Sequence, residues 1–160
     1  MKCEVIDNLL YADGSPVAQN PSPNVGGEMV PTLILIHFTA DDSEEGAISW
    51  LCARQAKVSA HLVVNKQGGV TQLVAFNRVA WHAGRSEWNG RSGVNSFSIG
   101  IENVGRGDHF PDEQMEANRA IIAALFDAYP TIDDVAGHSD VAPGRKFDPG
   151  PNYDWSKVTT

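Results

Sequence analysis

Two histidines and one aspartate have the types and positions expected of a metal-binding site. His37 lies where a short apolar run opens into a loop, and His138 follows a second predicted strand. Asp148 comes soon afterwards in a segment rich in proline and glycine. Two imidazoles and one carboxylate form a three-ligand zinc set with a fourth position left for water. Strand ends of an α/β sheet meet at one edge, which favours a common site, although two unrelated histidines near strand ends would give the same spacing.

A carboxylate that could move protons ends the segment 97–102, in which residue types alternate with period two. One face carries Phe97, Ile99 and Ile101, and the other carries Ser98, Gly100 and Glu102. The second set is small, small and acidic. This pattern predicts open space above the strand with Glu102 at its end, as in the floor of a cleft, and a solvent-exposed strand face would show the same pattern.

Residues 78–91 form a basic and aromatic island in an acidic chain. The island contains Arg78, Trp81, His82, Arg85, Trp88 and Arg91. Aromatic rings cover sugar faces and arginine pairs with carboxylates, so the island could bind a carboxylated, sugar-bearing ligand. A solvated loop with packed tryptophans explains the composition equally well.

The elements that must position these groups alternate between strands and helices. Residues 33–36 are apolar at both parities, as in a central strand covered on both faces. Helices are predicted from Ser43 and over residues 111–129, with a hairpin around Gly68 and Gly69 and a last strand at 131–136. This order predicts a single α/β domain over residues 1–160.

Two stretches are predicted to lack regular structure. Residues 12–31 are rich in proline and glycine, so residues 1–31 are expected to be an irregular N-terminal arm. Residues 75–96 show little periodicity and are expected to be a long loop. A loop of that length in a compact domain is usually functional.

Composition excludes several classes of partner. The formal net charge of -8 disfavours binding to nucleic acid or to an anionic membrane. The apolar run at 33–36 is far shorter than the roughly 20 residues that span a bilayer, and the N-terminus has no apolar stretch of signal-peptide length. Cys3 and Cys52 form no metal or disulfide motif. The chain as encoded is therefore expected to be cytoplasmic and reduced.

Six segments give the chain a family resemblance. In order they read LIHFTA (35–40), VSAHLVV (58–64), QLV (72–74), AWHAG (80–84), FSIGIE (97–102) and GHSDVAPGRKFDPGP (137–151). They resemble the zinc N-acetylmuramoyl-L-alanine amidases of the AmpD, AmiD and phage-lysozyme type, whose fold is shared with peptidoglycan recognition proteins. The segments occur in family order and span most of the chain, and the last one is long enough to be highly specific.

The resemblance implies a fold, a metal site and a reaction. The fold is a mixed central β-sheet flanked by helices. His37, His138 and Asp148 are implied to bind one zinc ion, with Glu102 as the catalytic carboxylate and Lys146 assisting it. The implied reaction is hydrolysis of the amide bond between N-acetylmuramic acid and L-alanine in peptidoglycan or muropeptides, in an endolysin or a recycling role. Zinc would activate water, while the carboxylate moves protons and the ammonium stabilises the oxyanion.

The remaining candidates concern substrate and partners. The substrate-binding set is expected to contain Trp81, His82, Arg85, Arg91 and, as a packing residue behind the groove, His61. Peptidoglycan or a muropeptide is the expected partner of a monomer. Delivery to the cell wall would need a holin or a secretion system.

Two alternatives remain at this point. A non-catalytic peptidoglycan-binding module of the same fold would require loss of a zinc ligand or of the acid, and neither is missing. A glycosidase would use Glu102 with a second carboxylate and would not need zinc.

Overall fold

The computed structural model describes residues 1–159. Its strands are β1 (Cys3–Ile6), β2 (Leu9–Ala12), β3 (Ser15–Pro16), β4 (Ala18–Gln19), β5 (Val25–Glu28), β6 (Leu33–Phe38), β7 (Leu62–Val64), β8 (Val70–Gln72), β9 (Arg78–Ala80), β10 (Glu87–Trp88), β11 (Arg91–Ser92), β12 (Ser98–Asn103) and β13 (Asp134–Gly137). Its α-helices are α1 (Glu44–Leu51), α2 (Asp112–Ala128) and α3 (His138–Val141), and short 3-10 helices lie at Arg54–Ala56, Val94–Ser96 and Trp155–Lys157.

A six-stranded mixed sheet forms the centre of the molecule. Its strand order is β13-β6-β12-β7-β8-β4. The first four strands are parallel, β7 and β8 form an antiparallel hairpin, and β4 is parallel to β8. This arrangement confirms the mixed central sheet with helices that the resemblance implied.

Strand β6 is buried on both faces, as its sequence predicts. Ile34 and Ile36 pack in the larger core, which includes Ile121 and Leu125 of α2. On the opposite face, Leu33 and Leu35 pack in a second cluster with Phe97, Val94, Ala136 and Val141. A central parallel strand with helices or loops on both sides needs this continuous apolar run.

Local signals place the helices and the hairpin where they were predicted. Ser43 caps α1, because its hydroxyl accepts a hydrogen bond from the backbone N–H of Gly46 at 3.0 Å. Helix α2 begins directly after Pro111 and ends before Pro130. The β7–β8 turn contains Gly68, whose φ of +86° is one that glycine adopts without strain.

The N-terminal residues are more regular than predicted. Strands β1, β2 and β3 form an antiparallel sheet, β4 extends the central sheet and β5 pairs with β9. Asp7 and Asn8 both have positive φ, as the tight turn between β1 and β2 requires. The expected long loop at 75–96 likewise contains β9 and the β10–β11 pair. Within residues 1–159, no helix has both the length and the apolar character needed to cross a membrane.

Candidate metal centre

Strand register brings the predicted ligands to one edge of the sheet. In the parallel pair β6–β12, His37 is level with Glu102. In the pair β13–β6, Gly137 is level with Ile36, so His138 leaves the sheet at the level of His37. Carboxyl ends of parallel strands form the usual site edge of such a sheet. The order of the strands therefore joins residues that lie far apart in sequence.

Asp148 reaches this edge through the loop that follows α3. The backbone N–H of Ser139 donates a hydrogen bond to the carbonyl oxygen of Asp148 at 3.0 Å. This bond holds the loop against the first turn of α3, so the Asp148 carboxylate lies beside the ring of His138.

His37, His138 and Asp148 form a compact cluster of possible metal ligands. The Nδ1 atoms of the two histidines lie 3.0 Å apart. A carboxylate oxygen of Asp148 lies 3.2 Å from Nδ1 of His37, and another lies 3.2 Å from Nδ1 of His138. Tetrahedral zinc with bonds of about 2.0–2.1 Å to nitrogen separates its ligand atoms by roughly 3.3 Å. The spacing therefore suits such an ion.

The far side of the His138 ring shows which of its nitrogens is free for a metal. Nε2 of His138 lies 2.9 Å from the carbonyl oxygen of Ala83, which can only accept a hydrogen bond. Nε2 of His138 must therefore carry a proton, which leaves Nδ1 as the ring nitrogen that can offer a lone pair to the cluster. Nitrogen lone pairs and a carboxylate that face one another at this distance repel unless a proton or a metal cation lies among them. The donor set thus fits a metal ion.

Burial and charge set the protonation of the cluster. Burial lowers the pKa of His37, although its contact with Asp148 opposes this effect. Burial also opposes ionisation of Asp148, but its contacts with the two imidazoles hold its pKa well below the usual range. Neutral imidazoles and an ionised carboxylate are the forms that bind divalent cations.

Glu102 lies beside the cluster without belonging to it. Its Oε1 is 3.9 Å from Nδ1 of His37, while its Oε2 is buried without a hydrogen-bond partner. Burial, and then the charge of Asp148, raise the pKa of Glu102 well above its usual value. A carboxyl group held close to protonation, with a free oxygen, is equipped to accept and return a proton.

A cavity of about 480 Å³ opens over this edge of the sheet. Its walls include the three possible ligands and Glu102, together with Lys146, Trp81, His82, Trp50, Phe147 and Arg145. Trp50 and Phe147 are 60% and 78% exposed, so apolar rings lie at the cavity mouth. The volume is within the range of small-molecule binding sites.

The face of β12 above Ser98 and Gly100 is filled, and the prediction of open space there is wrong. The ring of His82 covers this face, and a Cβ at position 100 would lie 2.6 Å from its Cγ. Only the end of the strand, at Glu102, faces the cavity. The imidazole of a distant loop occupies the space that the small residues leave.

The other predicted substrate-binding residues are distributed around the site. Trp81 and His82 line the cavity, whereas Arg85 lines a neighbouring shallow groove. Arg91 is exposed on β11, and its guanidinium packs 4.2 Å from the ring centroid of Phe97. Direct contact of these side chains with a substrate stays a prediction.

His61 is a core residue with both ring nitrogens engaged. It is fully buried, its Nδ1 accepts the N–H of Gly100 at 3.0 Å and its Nε2 donates to the carbonyl oxygen of Arg78 at 2.8 Å. No polar atom of the ring is left for a ligand. This placement agrees with the packing role and offers no route to direct substrate contact. His109 is exposed on the surface.

Several residues of the site escaped the sequence analysis. Arg145 donates hydrogen bonds to the carbonyl oxygens of Ala83 and Arg85, at 2.7 and 2.8 Å. Asn95 accepts two backbone N–H groups of the loop that carries His82. Both residues act through backbone groups distant in sequence, so no local pattern marks them. The sequence does offer one signal for Arg145, because this residue lies beside Lys146 in the segment 137–151 that carries the family resemblance.

Known proteins of the same architecture give this geometry a context. The family model described as N-acetylmuramoyl-L-alanine amidase matches residues 27–151. The chain is 35% identical to the 1,6-anhydro-N-acetylmuramyl-L-alanine amidase AmpD of Escherichia coli (strain K12), over 86% of this chain and 87% of that protein.

Two solved structures extend the likeness to the fold. A selenomethionine derivative of AmpD superposes with a TM-score of 0.85 at 29% identity, and the match covers 96% of each chain. AmiD from E. coli, in complex with the substrate anhydro-N-acetylmuramic acid-L-Ala-D-gamma-Glu-L-Lys, superposes with a TM-score of 0.73 at 29% identity. That match covers 98% of this chain and 64% of AmiD.

Proposed function

This chain belongs to the N-acetylmuramoyl-L-alanine amidase family, and from that premise we propose that it is a zinc hydrolase that cuts the amide bond between N-acetylmuramic acid and L-alanine. One observation carries the proposal: His37, His138 and Asp148 converge within 4.8 Å of one another, beside a buried carboxyl group. A binding module would not need Glu102 in that position with a raised pKa.

The metal proposal assigns one zinc ion per chain to His37, His138 and Asp148. The set contains two neutral nitrogens and one carboxylate, so the charge of a divalent ion is only partly neutralised and the site stays positive. When bound, zinc would act as a Lewis acid toward a carbonyl oxygen and lower the pKa of water towards about 7.

Glu102 and Lys146 have complementary roles in the proposed hydrolysis. Glu102 takes a proton from the attacking water as the new C–O bond forms, and it returns a proton to the alanine nitrogen as the C–N bond breaks. Lys146 lines the same cavity, where its ammonium can stabilise the negative charge that develops on the carbonyl oxygen. The products are a free lactyl carboxylate and a free peptide amine, so the reaction is balanced by one water.

The cavity walls support a substrate that is partly sugar and partly peptide. Trp50, Trp81 and Phe147 offer ring faces, which pack well on sugars and apolar side chains. Arg85 and Arg91 lie on the surface beyond the cavity, where we propose that they pair with carboxylates of the stem peptide.

The preferred substrate is proposed to be a soluble 1,6-anhydro-muropeptide. The 35% identity with AmpD over most of both chains supports this choice. The net charge of -8 also supports it, because an acidic enzyme has little electrostatic attraction to anionic wall polymers.

A cleavage assay with metal exchange tests the proposal. Purified protein should bind about one zinc and release free L-alanyl peptide from a 1,6-anhydro-muropeptide, faster than from intact sacculi. Cleavage should stop on removal of zinc by a chelator and return with added zinc. His138→Ala should lose zinc and activity, whereas the exposed-histidine control His109→Ala should keep both. Failure of zinc-loaded protein to release peptide would refute the proposed reaction.

The same assay separates the rival functions. A glycosidase would cleave between sugars, keep its activity in chelator and leave the peptide attached. A binding module would retain the muropeptide unchanged. Mass spectrometry of the products distinguishes all three results.

A further inference from the structure

The segment His82–Ala83 lies directly behind both histidines of the metal centre. The carbonyl oxygen of Ala83 accepts a hydrogen bond from Nε2 of His138 at 2.9 Å. Nδ1 of His82 lies 3.0 Å from Nε2 of His37. Two consecutive residues therefore contact the far side of both rings.

The partners of Nε2 of His82 show which nitrogen donates in the contact between His82 and His37. Nε2 of His82 faces the carbonyl oxygen of Ser98 at 3.4 Å and the Ser98 hydroxyl oxygen at 3.3 Å. That hydroxyl donates its own proton to the carbonyl oxygen of Val94 at 2.7 Å. Nε2 of His82 is thus the donor, its Nδ1 is the acceptor, and Nε2 of His37 must carry a proton. Nδ1 of His37 is left free for the cluster.

The segment itself has no strand partner to hold it. Strand β9 ends at Ala80, one residue before Trp81. Oδ1 of Asn95 accepts a hydrogen bond from the backbone N–H of His82 at 3.0 Å and another from that of Ala83 at 2.7 Å. One amide oxygen therefore holds the backbone N–H groups of both residues that contact the ligand rings, and Arg145 in addition donates to the carbonyl oxygen of Ala83 at 2.7 Å.

We propose that Asn95 is a positioning residue of the metal centre, which holds His82–Ala83 so that both ligand imidazoles present Nδ1 to the ion. The inference rests on the proposed zinc site. Groups that orient a ligating histidine typically change metal affinity by roughly 10- to 100-fold when they are removed. Asn95 acts one step further out, through the backbone.

The close packing of Gly100 against His82 supports a fixed position for the His82 ring. A Cβ at Gly100 would lie 2.6 Å from both Cγ and Nδ1 of His82. Real Cβ atoms do not come this close to such atoms. Glycine at this position thus allows the His82 ring to reach His37, and any larger residue would displace the acceptor atom.

The test compares zinc affinity among three variants and the wild type. Asn95→Leu keeps the size of the side chain and removes the acceptor, whereas Asn95→Asp keeps an oxygen that can accept both N–H groups. Asn65→Leu is the matched control, because Oδ1 of Asn65 also accepts two backbone N–H groups, those of Gln67 and Gly69, in the distant β7–β8 turn. Competition with a chromophoric chelator gives the zinc Kd of each protein.

We expect Asn95→Leu to raise the zinc Kd roughly 10-fold or more, while Asn95→Asp and Asn65→Leu stay close to the wild type. Ring-nitrogen NMR of the zinc-loaded proteins should show Nε2–H on both ligand histidines in the wild type and a loss of the His138 signal, the His37 signal or both in Asn95→Leu. A merely structural role would lower stability without changing these signals. Wild-type affinity with unchanged ring signals in Asn95→Leu would overturn the inference.

A second pair of variants keeps the test decisive if Asn95→Leu does not fold. His82→Leu removes the acceptor for His37, and His82→Asn supplies an amide oxygen near the position of Nδ1. The inference predicts weaker zinc binding for His82→Leu, with recovery in His82→Asn. Equal affinities in the pair would contradict it. If the wild type itself bound no zinc, the proposed function would fail instead, so the two failures are distinct.

Discussion

The protonation of Glu102 is the residue-scale feature on which the proposed chemistry depends most. Its side chain is 12% exposed, and Oε2 has no hydrogen-bond partner. Burial and the nearby charge of Asp148 both favour the neutral acid. A bound cation would favour the ionised form, because an opposite charge nearby stabilises a carboxylate. The proton affinity of Glu102 therefore depends on whether a cation is bound beside it.

Glu102→Gln should remove cleavage and keep the metal. The amide has nearly the same size but cannot accept the proton of water, so we expect turnover to fall by about 10²- to 10⁴-fold. Zinc content should stay at the wild-type level, because the three ligand atoms belong to other residues. Glu4→Gln, an exposed carboxylate on β1, is the control. Peptide release at the wild-type rate by Glu102→Gln would remove the proton-transfer role.

His61 is a buried imidazole that favours its neutral form in the native state. Burial lowers its pKa from 6.5 to about 4. Between these two values the unfolded chain binds a proton that the native chain does not. The contribution of His61 to the free energy of unfolding is therefore fully present above pH 6.5, and it is lost as the pH falls toward 4. At about 1.4 kcal/mol per pKa unit, the loss is on the order of 3 kcal/mol.

Substitution of His61 should reduce the loss of stability that acid causes. His61→Gln keeps an acceptor and a donor but has no proton to bind near neutral pH. We expect the free energy of unfolding, measured with urea at pH 7 and pH 4.5, to change less with pH in this variant than in the wild type. His109→Gln, at an exposed site, should keep the wild-type slope. Identical slopes for all three proteins would contradict the assignment.

The cluster of His37, His138 and Asp148 was predictable from sequence, because each of these residues lies near a strand end or in a recognisable segment. The filling of the space above Gly100 was not predictable. It depends on the path of the loop after β9, and Asn95 fixes that path through hydrogen bonds to His82 and Ala83. A side chain that acts on a loop twelve or more positions away leaves no periodic signal.

At the scale of elements, a buried polar network joins α2 to the edge of the sheet that carries His37 and Glu102. Asn118 of α2 donates to Oδ1 of Asn103 at 2.7 Å and to the carbonyl oxygen of Gln114 at 2.8 Å, and it accepts from the hydroxyl of Tyr153 at 2.8 Å. Asn103 in turn donates to the carbonyl oxygen of His37 at 3.1 Å. The helix therefore holds the backbone of a proposed ligand.

Asn118→Leu should destabilise the protein by about 2–6 kcal/mol. The leucine fills the same volume but leaves Oδ1 of Asn103 and the Tyr153 hydroxyl without partners, and each unpaired buried group costs about 1–3 kcal/mol. Urea denaturation gives the free energy of unfolding. The control is Asn152→Leu, which removes an exposed hydrogen bond to Gly107 and should cost less than about 1 kcal/mol. Equal losses in the two variants would show that the network contributes little.

Elements with local signals were predicted well, and elements that depend on a partner were not. The Ser43 cap, the glycine turn at Gly68 and the stop at Pro130 are local, so α1, the β7–β8 hairpin and α2 appear as predicted. The strands β1 to β5 have two to four residues each and mostly exposed or half-buried side chains. Their pairing, rather than their sequence pattern, makes them strands.

At the scale of the whole molecule, the proposed zinc site joins three parts of the chain. His37 is the penultimate residue of β6, His138 begins α3, and Asp148 lies in the following loop. These groups are together only in the folded protein, so zinc should bind the native state far more strongly than the unfolded one. Mass action then converts binding into stability.

Zinc removal should lower the melting temperature by roughly 5–10 °C. Free zinc at about 100 times its Kd stabilises the native state by about 2.7 kcal/mol, and 1 kcal/mol moves the Tm of a protein of this size by about 2–4 °C. Differential scanning calorimetry with chelator and with excess zinc gives the shift. Magnesium should have little effect, because it prefers oxygen ligands. The decisive comparison is His138→Ala, which lacks one ligand: if zinc raised its Tm as much as that of the wild type, the ion would be acting elsewhere on the acidic surface, and the three-ligand site would lose its support.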